Sequence, residues 1–318
     1  MNKKIRYIKG RYKKLREILT CCKMCPRVCG VDRTKGQKGY CGAGRFPGVF
    51  SYQAHNGEEP PISGTRGSGT IFFSNCNLRC VYCQNYTFSQ NDDFDQVDNY
   101  ELAKIMVDLQ RSGCHNINLV SPTHYLTQII ESLMVAMEMG LSIPVVYNTG
   151  GYDNPEAIKL LEGIVDIYMP DMRYSNDEMA RIYSGAESYV KYNRACVSIM
   201  HKQVGDLQLD AAGIGMNGVL VRCLVLPENI SGTTDTLRFI RNSISKNMFI
   251  SLMSQYYPAY KARLYRQLSR RLEDVEYIKV YKELKRLQLD NGWIQAAPSG
   301  MDLDFAGETY LKKRAKGG

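Results

Sequence analysis

Three cysteines in the stretch SNCNLRCVYCQN, Cys76, Cys80 and Cys83, follow a C-x3-C-x2-C spacing. Thiolates this close on one loop can hold three corners of an iron–sulfur cubane. A set of three leaves one iron without a protein ligand, and an open metal position is where a small molecule binds and is activated. The alternative is a zinc loop that borrows a fourth ligand and stabilises the fold without catalysis.

A second group lies upstream in TCCKMCPRVCGVDRTKGQKGYCG, where Cys22, Cys25, Cys29 and Cys41 fall within 20 residues. Four thiolates can close a tetrahedral zinc site or hold a cubane cluster. Gly30, Gly36, Gly39 and Gly42 supply tight turns, Pro26 stiffens the loop, and Cys21 is a spare. A disulfide pair is the competing reading. A fourth thiolate lent to Cys76, Cys80 and Cys83 would block the open iron, so the upstream set is expected to be a separate site. It would support the chemistry from outside, and the spacing does not choose between zinc and a second cluster. The isolated Cys114, Cys196 and Cys223 are expected to be buried, inert thiols.

The elements that must position these groups begin near residue 70. TIFFSN (70–75), NINLVSP (116–122), PVVYNTG (144–150), VDIYMPDMR (165–173), GVLVRCLVLP (218–227) and MFISLMSQY (248–256) read as strands. Helical patterns separate them at about 99–112, 124–139, 155–162, from Ser175, and at 233–245, with a less regular segment at 187–217. Near-continuous apolar strands alternating with helices predict a parallel sheet covered by helices. Six units predict an α/β fold, a partial (β/α)6 TIM-like barrel with an N-terminal Cys-rich metal-binding extension. The expected divisions are 1–68 for a basic helix and the four-Cys segment, 69–260 for the barrel, and 261–318 for a C-terminal helical extension. In such folds chemistry gathers at the C-terminal ends of the strands. Those ends carry Cys76, Ser121-Pro122-Thr123-His124, Asn148-Thr149-Gly150-Gly151 and Asp171-Met172-Arg173.

The 318 residues, 44% hydrophobic and 23% charged, are those of a globular protein. No apolar run is long enough for a membrane span. Eleven cysteines clustered at ligand-like spacings, behind a basic N-terminus without an apolar signal core, favour metal binding in a reducing compartment, so the cytoplasm is expected. Part of the net charge of +9 lies in the first 16 residues, where Ile5, Ile8, Tyr12, Leu15 and Leu19 recur at helical spacing. An amphipathic helix with a solvated basic face is preferred to nucleic-acid or membrane binding.

The strand before the three-cysteine loop, its spacing, and Tyr82 ahead of the third cysteine resemble the radical S-adenosylmethionine (SAM) superfamily. Nearly the whole chain is similar to the pyruvate formate-lyase activating-enzyme-like branch, through CPRVCGVDR, GEEPPISGTRGSGTIFFSNCNLRCVYCQN, NLVSPTHY, YNTGGYD, DIYMPDMRY, VRCLVLP and LMSQYYP. The resemblance implies a 4Fe–4S cluster on Cys76, Cys80 and Cys83 that binds SAM and cleaves it reductively to a hydrogen-abstracting 5′-deoxyadenosyl radical. It implies that Tyr82 lies near the adenine and that the Ser121–Thr123 loop replaces the family's Gly-Gly-Glu at the methionine amine. Asn148 would contact the amino-acid or ribose portion, Asp171 and Arg173 would stand where activating enzymes carry Asp-x-Lys, and Arg222 would contact the cofactor. Arg for Lys at 173 keeps the charge but changes its geometry. That change and the missing Gly-Gly-Glu bear on the substrate more than on the chemistry.

Implied partners are a glycyl radical enzyme as substrate and a flavodoxin or ferredoxin as electron donor. Modification of a small molecule, peptide or RNA is the alternative within the class. A non-catalytic zinc protein binding nucleic acid is the alternative outside it. Locally, Asp171 can also cap a helix, Gly150-Gly151 can be only a turn, and His124 can be a contact or a helix-start residue. Glu58 and Glu59 are either solvated or turned toward the rim.

Overall fold

The computed structural model describes residues 3–90 and 94–300. Of the expected C-terminal extension, 301–318 lie outside the described residues, as do the first two residues of the N-terminal segment.

Among the described residues ten strands form one sheet: β1 (Gly48–His55), β2 (Ser68–Phe73), β3 (Asp95–Gln96), β4 (Ile117–Val120), β5 (Val145–Thr149), β6 (Ile167–Pro170), β7 (Gln208–Leu209), β8 (Gly215–Leu224), β9 (Phe249–Met253) and β10 (Gly292–Ile294). Their order is β10-β9-β8-β6-β5-β4-β2-β1-β3, with β7 pairing β8 alone. From β2 to β10 along this path every pairing is parallel; β1 runs antiparallel to β2. β4, β5 and β6 are buried along their whole length, as strands covered on both faces must be. β3 and β10 end the order unpaired with each other, so the fold is an open, partial TIM-like barrel.

Helices cover the outer face where the apolar periodicity places them. The helix Asn99–Arg111 starts at a capping box between Asp98 and Glu101, and Gly113 beyond its end takes a φ of +89°. Helices Leu126–Glu138, Asp177–Ser184 and Thr233–Ser243 follow the same rhythm. The segment at 187–217 contains a regular helix, Tyr189–Val204, and β7.

The N-terminal helix Lys3–Thr20 buries Ile5, Ile8, Leu15 and Leu19. Thr127 Oγ donates to Leu15 O at 3.0 Å, and Lys4 Nζ pairs with Asp166 Oδ2 at 2.5 Å, so this helix is fastened to the barrel wall.

The sheet crosses both expected divisions. β1 lies inside 1–68 and pairs with β2, and β10 lies inside 261–318 and pairs with β9. β1 alternates buried and exposed positions only weakly, and β10 is three residues long, so neither carries a strong strand pattern.

Candidate functional site

The three-cysteine loop leaves the C-terminal end of β2. Ser74 N donates to Gly48 O at 3.0 Å, and the next residue turns sharply: Asn75 adopts a φ of +70°, a conformation Asn tolerates better than most residues. Tyr125 Oη donates to Asn75 Oδ1 at 3.0 Å and Asn75 N to Phe88 O at 2.9 Å, which fixes the turn from two sides.

Each of the three sulfurs meets a donor. Leu78 N lies 3.4 Å from Cys76 Sγ, Ser184 Oγ 3.0 Å from Cys80 Sγ and Ser89 Oγ 3.2 Å from Cys83 Sγ. Arg173 Nη1 approaches Cys80 Sγ at 3.8 Å. Burial pushes the Cys76 thiol up to about 12, with Cys80 and Cys83 adding to it, and raises the Cys83 thiol as well. Such thiols ionise when a positive metal core replaces the proton. Donors to the sulfurs and an adjacent guanidinium are what a thiolate-held cluster requires of its surroundings, so this donor set fits one.

Beside the loop, side chains from distant elements converge on the concave face of the sheet. Arg173 Nη2 pairs with Asp171 Oδ2 at 2.5 Å. Arg222 faces three carboxylates: Glu58 at 3.4 Å, Glu59 at 3.5 Å and Asp171 at 3.6 Å. Asn118 of β4 donates to Glu58 Oε1 at 3.0 Å. Glu58 thus links β4 to β8 across the two strands between them. Burial raises the Glu58 pKa, against the Arg222 charge. Burial alone would lower the Arg222 pKa; Glu59, Asp171 and Glu58 more than offset it, and the guanidinium stays charged.

Several polar atoms here are buried without a hydrogen bond: Glu59 Oε2, Asn118 Oδ1, Asp171 Oδ1, Arg173 Nε and Arg222 Nε. Orphaned donors and acceptors of both kinds suit a ligand carrying an amine, a carboxylate and hydroxyls.

A cleft brings four of the expected cofactor residues together. Tyr82, Asp171, Arg173 and Arg222 line it with Cys83, Met253 and Gln255. Tyr82 turns its hydroxyl inward, 2.7 Å from Tyr174 Oη, and that pair continues to Ser184 Oγ and Cys80. The other three expected contacts are not in the lining. Ser121, at a φ of +57°, donates its N to Asn148 O at 2.8 Å, and Asn148 is buried on β5. Thr123 Oγ1 donates to Asp153 Oδ1 at 2.7 Å, in a buried cluster with Tyr147 and Thr149.

Glu58 and Glu59 take the rim-facing alternative. His124 is buried, its Nε2 2.8 Å from Ser74 O, and burial depresses its pKa to about 3, so it is neutral. Cys114, Cys196 and Cys223 are buried free thiols. Sequence reasoning overlooked Asn118, whose signal was a polar residue inside an apolar strand run, and Ser184, which left none.

The upstream cysteines fold against this site. Cys22, Cys25, Cys29 and Cys41 line one small space together with Met24, Arg27, Arg33 and His124. Cys21 points to solvent. Burial raises the Cys22 thiol and pushes Cys25 up to about 12. As placed, no three His, Cys, Asp or Glu side chains among the described residues converge on the position of a single metal ion. Asn77, inside the three-cysteine loop, touches both groups: its carbonyl oxygen accepts from Arg27 Nε at 3.2 Å beside the upstream cysteines, and its Oδ1 lies 3.9 Å from Cys76 Sγ.

The chain has known relatives. The model of the radical SAM superfamily matches residues 70–240. An uncharacterized protein of Methanocaldococcus jannaschii, MJ0674, is 31% identical over 291 residues, covering 86% of this chain and 77% of the relative. A second uncharacterized protein of that organism is 24% identical over 272 residues, covering 79% of this chain and 74% of its own. Among solved structures, SuiB of Streptococcus suis bound to S-adenosylmethionine is similar in fold, with a TM-score of 0.50 at 12% identity, covering 76% of this chain and 54% of SuiB. With the three-cysteine loop at the mouth of an open parallel barrel and the family model matching that barrel from β2 through β8, the chain belongs to the radical SAM superfamily and is a radical SAM enzyme.

Proposed function

We propose that this radical SAM enzyme is an activating enzyme that abstracts hydrogen from a glycine of a partner protein. The observation that carries the reading is the cleft beside Cys83, in which Asp171, Arg173 and Arg222 meet within reach of the cysteine loop. Cys76, Cys80 and Cys83 would hold a 4Fe–4S cluster, which would supply the electron for reductive cleavage of SAM to methionine and a 5′-deoxyadenosyl radical.

The chain's own residues hold and orient. Ser184, Ser89 and the Leu78 amide donate to the three sulfurs. Arg222 Nε and Asp171 Oδ1, ion-paired at 3.6 Å and each without a hydrogen bond, present one donor and one acceptor to the amino-acid end of SAM. Arg173 sets a fixed positive charge between Asp171 and Cys80. Tyr82, Tyr174 and Tyr256 are buried behind the loop and keep water from that side.

A macromolecular substrate is favoured by the surface outside the cleft. Tyr86 and Tyr260 stack in the open with ring centroids 5.0 Å apart, and Tyr257 is exposed beside them. Exposed aromatic groups next to a reactive centre mark a docking surface. The electron donor in this reading is a flavodoxin or ferredoxin. All eleven cysteines are free, which suits a reducing cytoplasm. No helix of the described residues is long and apolar enough to cross a membrane. In the same reading, Cys22, Cys25, Cys29 and Cys41 form a second thiolate site for zinc or a second iron–sulfur cluster.

Anaerobic reconstitution with iron and sulfide tests the proposal. Absorbance at about 400 nm and 5′-deoxyadenosine formed from SAM and dithionite are expected. A glycyl radical signal should then appear on a glycyl radical enzyme added as the partner. If the hydrogen that 5′-deoxyadenosine carries comes from small molecules, peptides or RNA, and not from that protein, the activating role is wrong.

A further inference from the structure

Arg33 is 1% exposed, one of the most deeply buried large side chains in the protein. Its Nε donates to Ala43 O at 3.1 Å, its Nη1 donates to His124 O and approaches Met24 Sδ at 3.5 Å, and its Nη2 lies 3.9 Å from Cys41 Sγ. Among the described residues no carboxylate pairs with it. A guanidinium does not lose its proton in a protein, and an unpaired buried charge is strongly unfavourable. The anion that answers Arg33 must therefore come from what lines the same space, and the ionisable side chains there that can become negative are Cys22, Cys25, Cys29 and Cys41.

A second guanidinium repeats the pattern. Arg27 lines that space, donates its Nε to Asn77 O at 3.2 Å and stacks over the Tyr40 ring at 3.6 Å. Its Nη2 is buried with no hydrogen-bond partner, and no carboxylate pairs with it among the described residues. Four thiolates around a zinc ion, or around an oxidised four-iron core, leave a net charge of roughly −2. Two guanidiniums at one tetrathiolate site balance that charge.

We propose that Cys22, Cys25, Cys29 and Cys41 hold an anionic tetrathiolate metal centre, and that Arg33, assisted by Arg27, is its buried counter-ion and positioning residue. The proposal rests on the second-site reading above and gives that site a charge and a lock. Because Arg33 also binds the carbonyl of His124, whose ring is hydrogen-bonded to Ser74 at the end of β2, the centre is tied to the strand that launches the catalytic loop. Asn77 makes a second tie, between Arg27 and Cys76.

The test begins with protein carrying Cys76→Ala, Cys80→Ala and Cys83→Ala, so that metal found belongs to the upstream cysteines. Purified without oxygen, it should retain zinc or iron, and adding Cys22→Ala and Cys41→Ala should remove it. Metal-free protein at this step overturns the second site, and with it the proposal.

The charge claim has its own readout. In metal-loaded protein Arg33→Met should lower the melting temperature and speed metal loss to a chelator, and Arg33→Lys should restore part of both. In protein stripped of metal, or lacking Cys22 and Cys41, the sign should reverse: Arg33→Met should raise the melting temperature, because it removes a charge without an anion. Metal retained together with equal destabilisation by Arg33→Met in both states would leave the site standing and overturn the counter-ion.

Discussion

Arg222 on β8 and Glu58, in the loop after β1, lie 164 positions apart in the chain and meet at 3.4 Å on the concave face of the sheet. This ion pair joins the N-terminal segment to the barrel and draws Glu59 and Asp171 to the same guanidinium.

Replacing Arg222 by Met would leave Glu58 and Glu59 without their guanidinium and Asp171 with Arg173 alone, and all three side chains are at least four-fifths buried. Removing one partner of a buried ion pair costs about 3–5 kcal/mol. We expect a loss of that size in denaturant unfolding, together with loss of SAM binding by calorimetry. A stability unchanged within 1 kcal/mol or so would mean that the four groups are separately solvated.

Gly151 holds the rim at the end of β5. It takes a φ of +75°, and a Cβ there would collide with the Asp171 carbonyl oxygen and Asn193 Nδ2. Asn193 Nδ2 itself donates to Gly151 O at 3.0 Å and Asp171 O at 2.9 Å. Gly151→Ala should therefore displace Asp171, lowering SAM affinity at least as much as stability. Wild-type affinity in folded Gly151→Ala protein would show that Asp171 is not positioned through this contact.

The two cysteine groups should separate by substitution. Cys80→Ala should abolish 5′-deoxyadenosine formation from SAM and dithionite. Cys41→Ala should impair folding or substrate turnover, while the surviving protein still cleaves SAM. Loss of the catalytic cluster's spectrum in Cys41→Ala protein would merge the sites into one.

Asp153 gives a pH signature. It is fully buried and accepts hydrogen bonds from Thr123, Tyr147 and Thr149, yet burial outweighs them and raises its pKa. A carboxyl that is harder to ionise when folded stabilises the protein fully below its unfolded pKa of about 3.9. That contribution is lost as pH rises through the higher folded value. Asp153→Asn should flatten this part of the stability profile, measured as urea midpoints across the acidic range. An unchanged slope would assign the pH dependence to other groups.

The chemistry was legible in the sequence because it is local. C-x3-C-x2-C is eight consecutive positions, Cys76 to Cys83, and the chain cannot place those thiols far apart whatever the fold. The six central strands were legible for a related reason: parallel strands buried on both faces must be apolar nearly throughout, and that leaves an unbroken signature. Asp171, Arg173 and Arg222 could be assigned to one rim because strand ends in a parallel sheet share a side.

Tertiary structure decided which distant groups share a charge environment, and short-range spacing holds no record of it. Glu58 and Glu59 read equally well as a solvated pair until β4 and β8 supplied Asn118 and Arg222. Thr123, in the loop that the family resemblance sets at the methionine amine, turns its hydroxyl to Asp153. The extent of the sheet also came from the fold, since β1 and β10 are edge strands whose residues need not be apolar on both faces. The sequence alone determined two cysteine sets and a barrel to carry the first. Only the folded chain set Arg33 inside the second set and Asn77 between Arg27 and Cys76, because buried charge is matched through space and not along the chain.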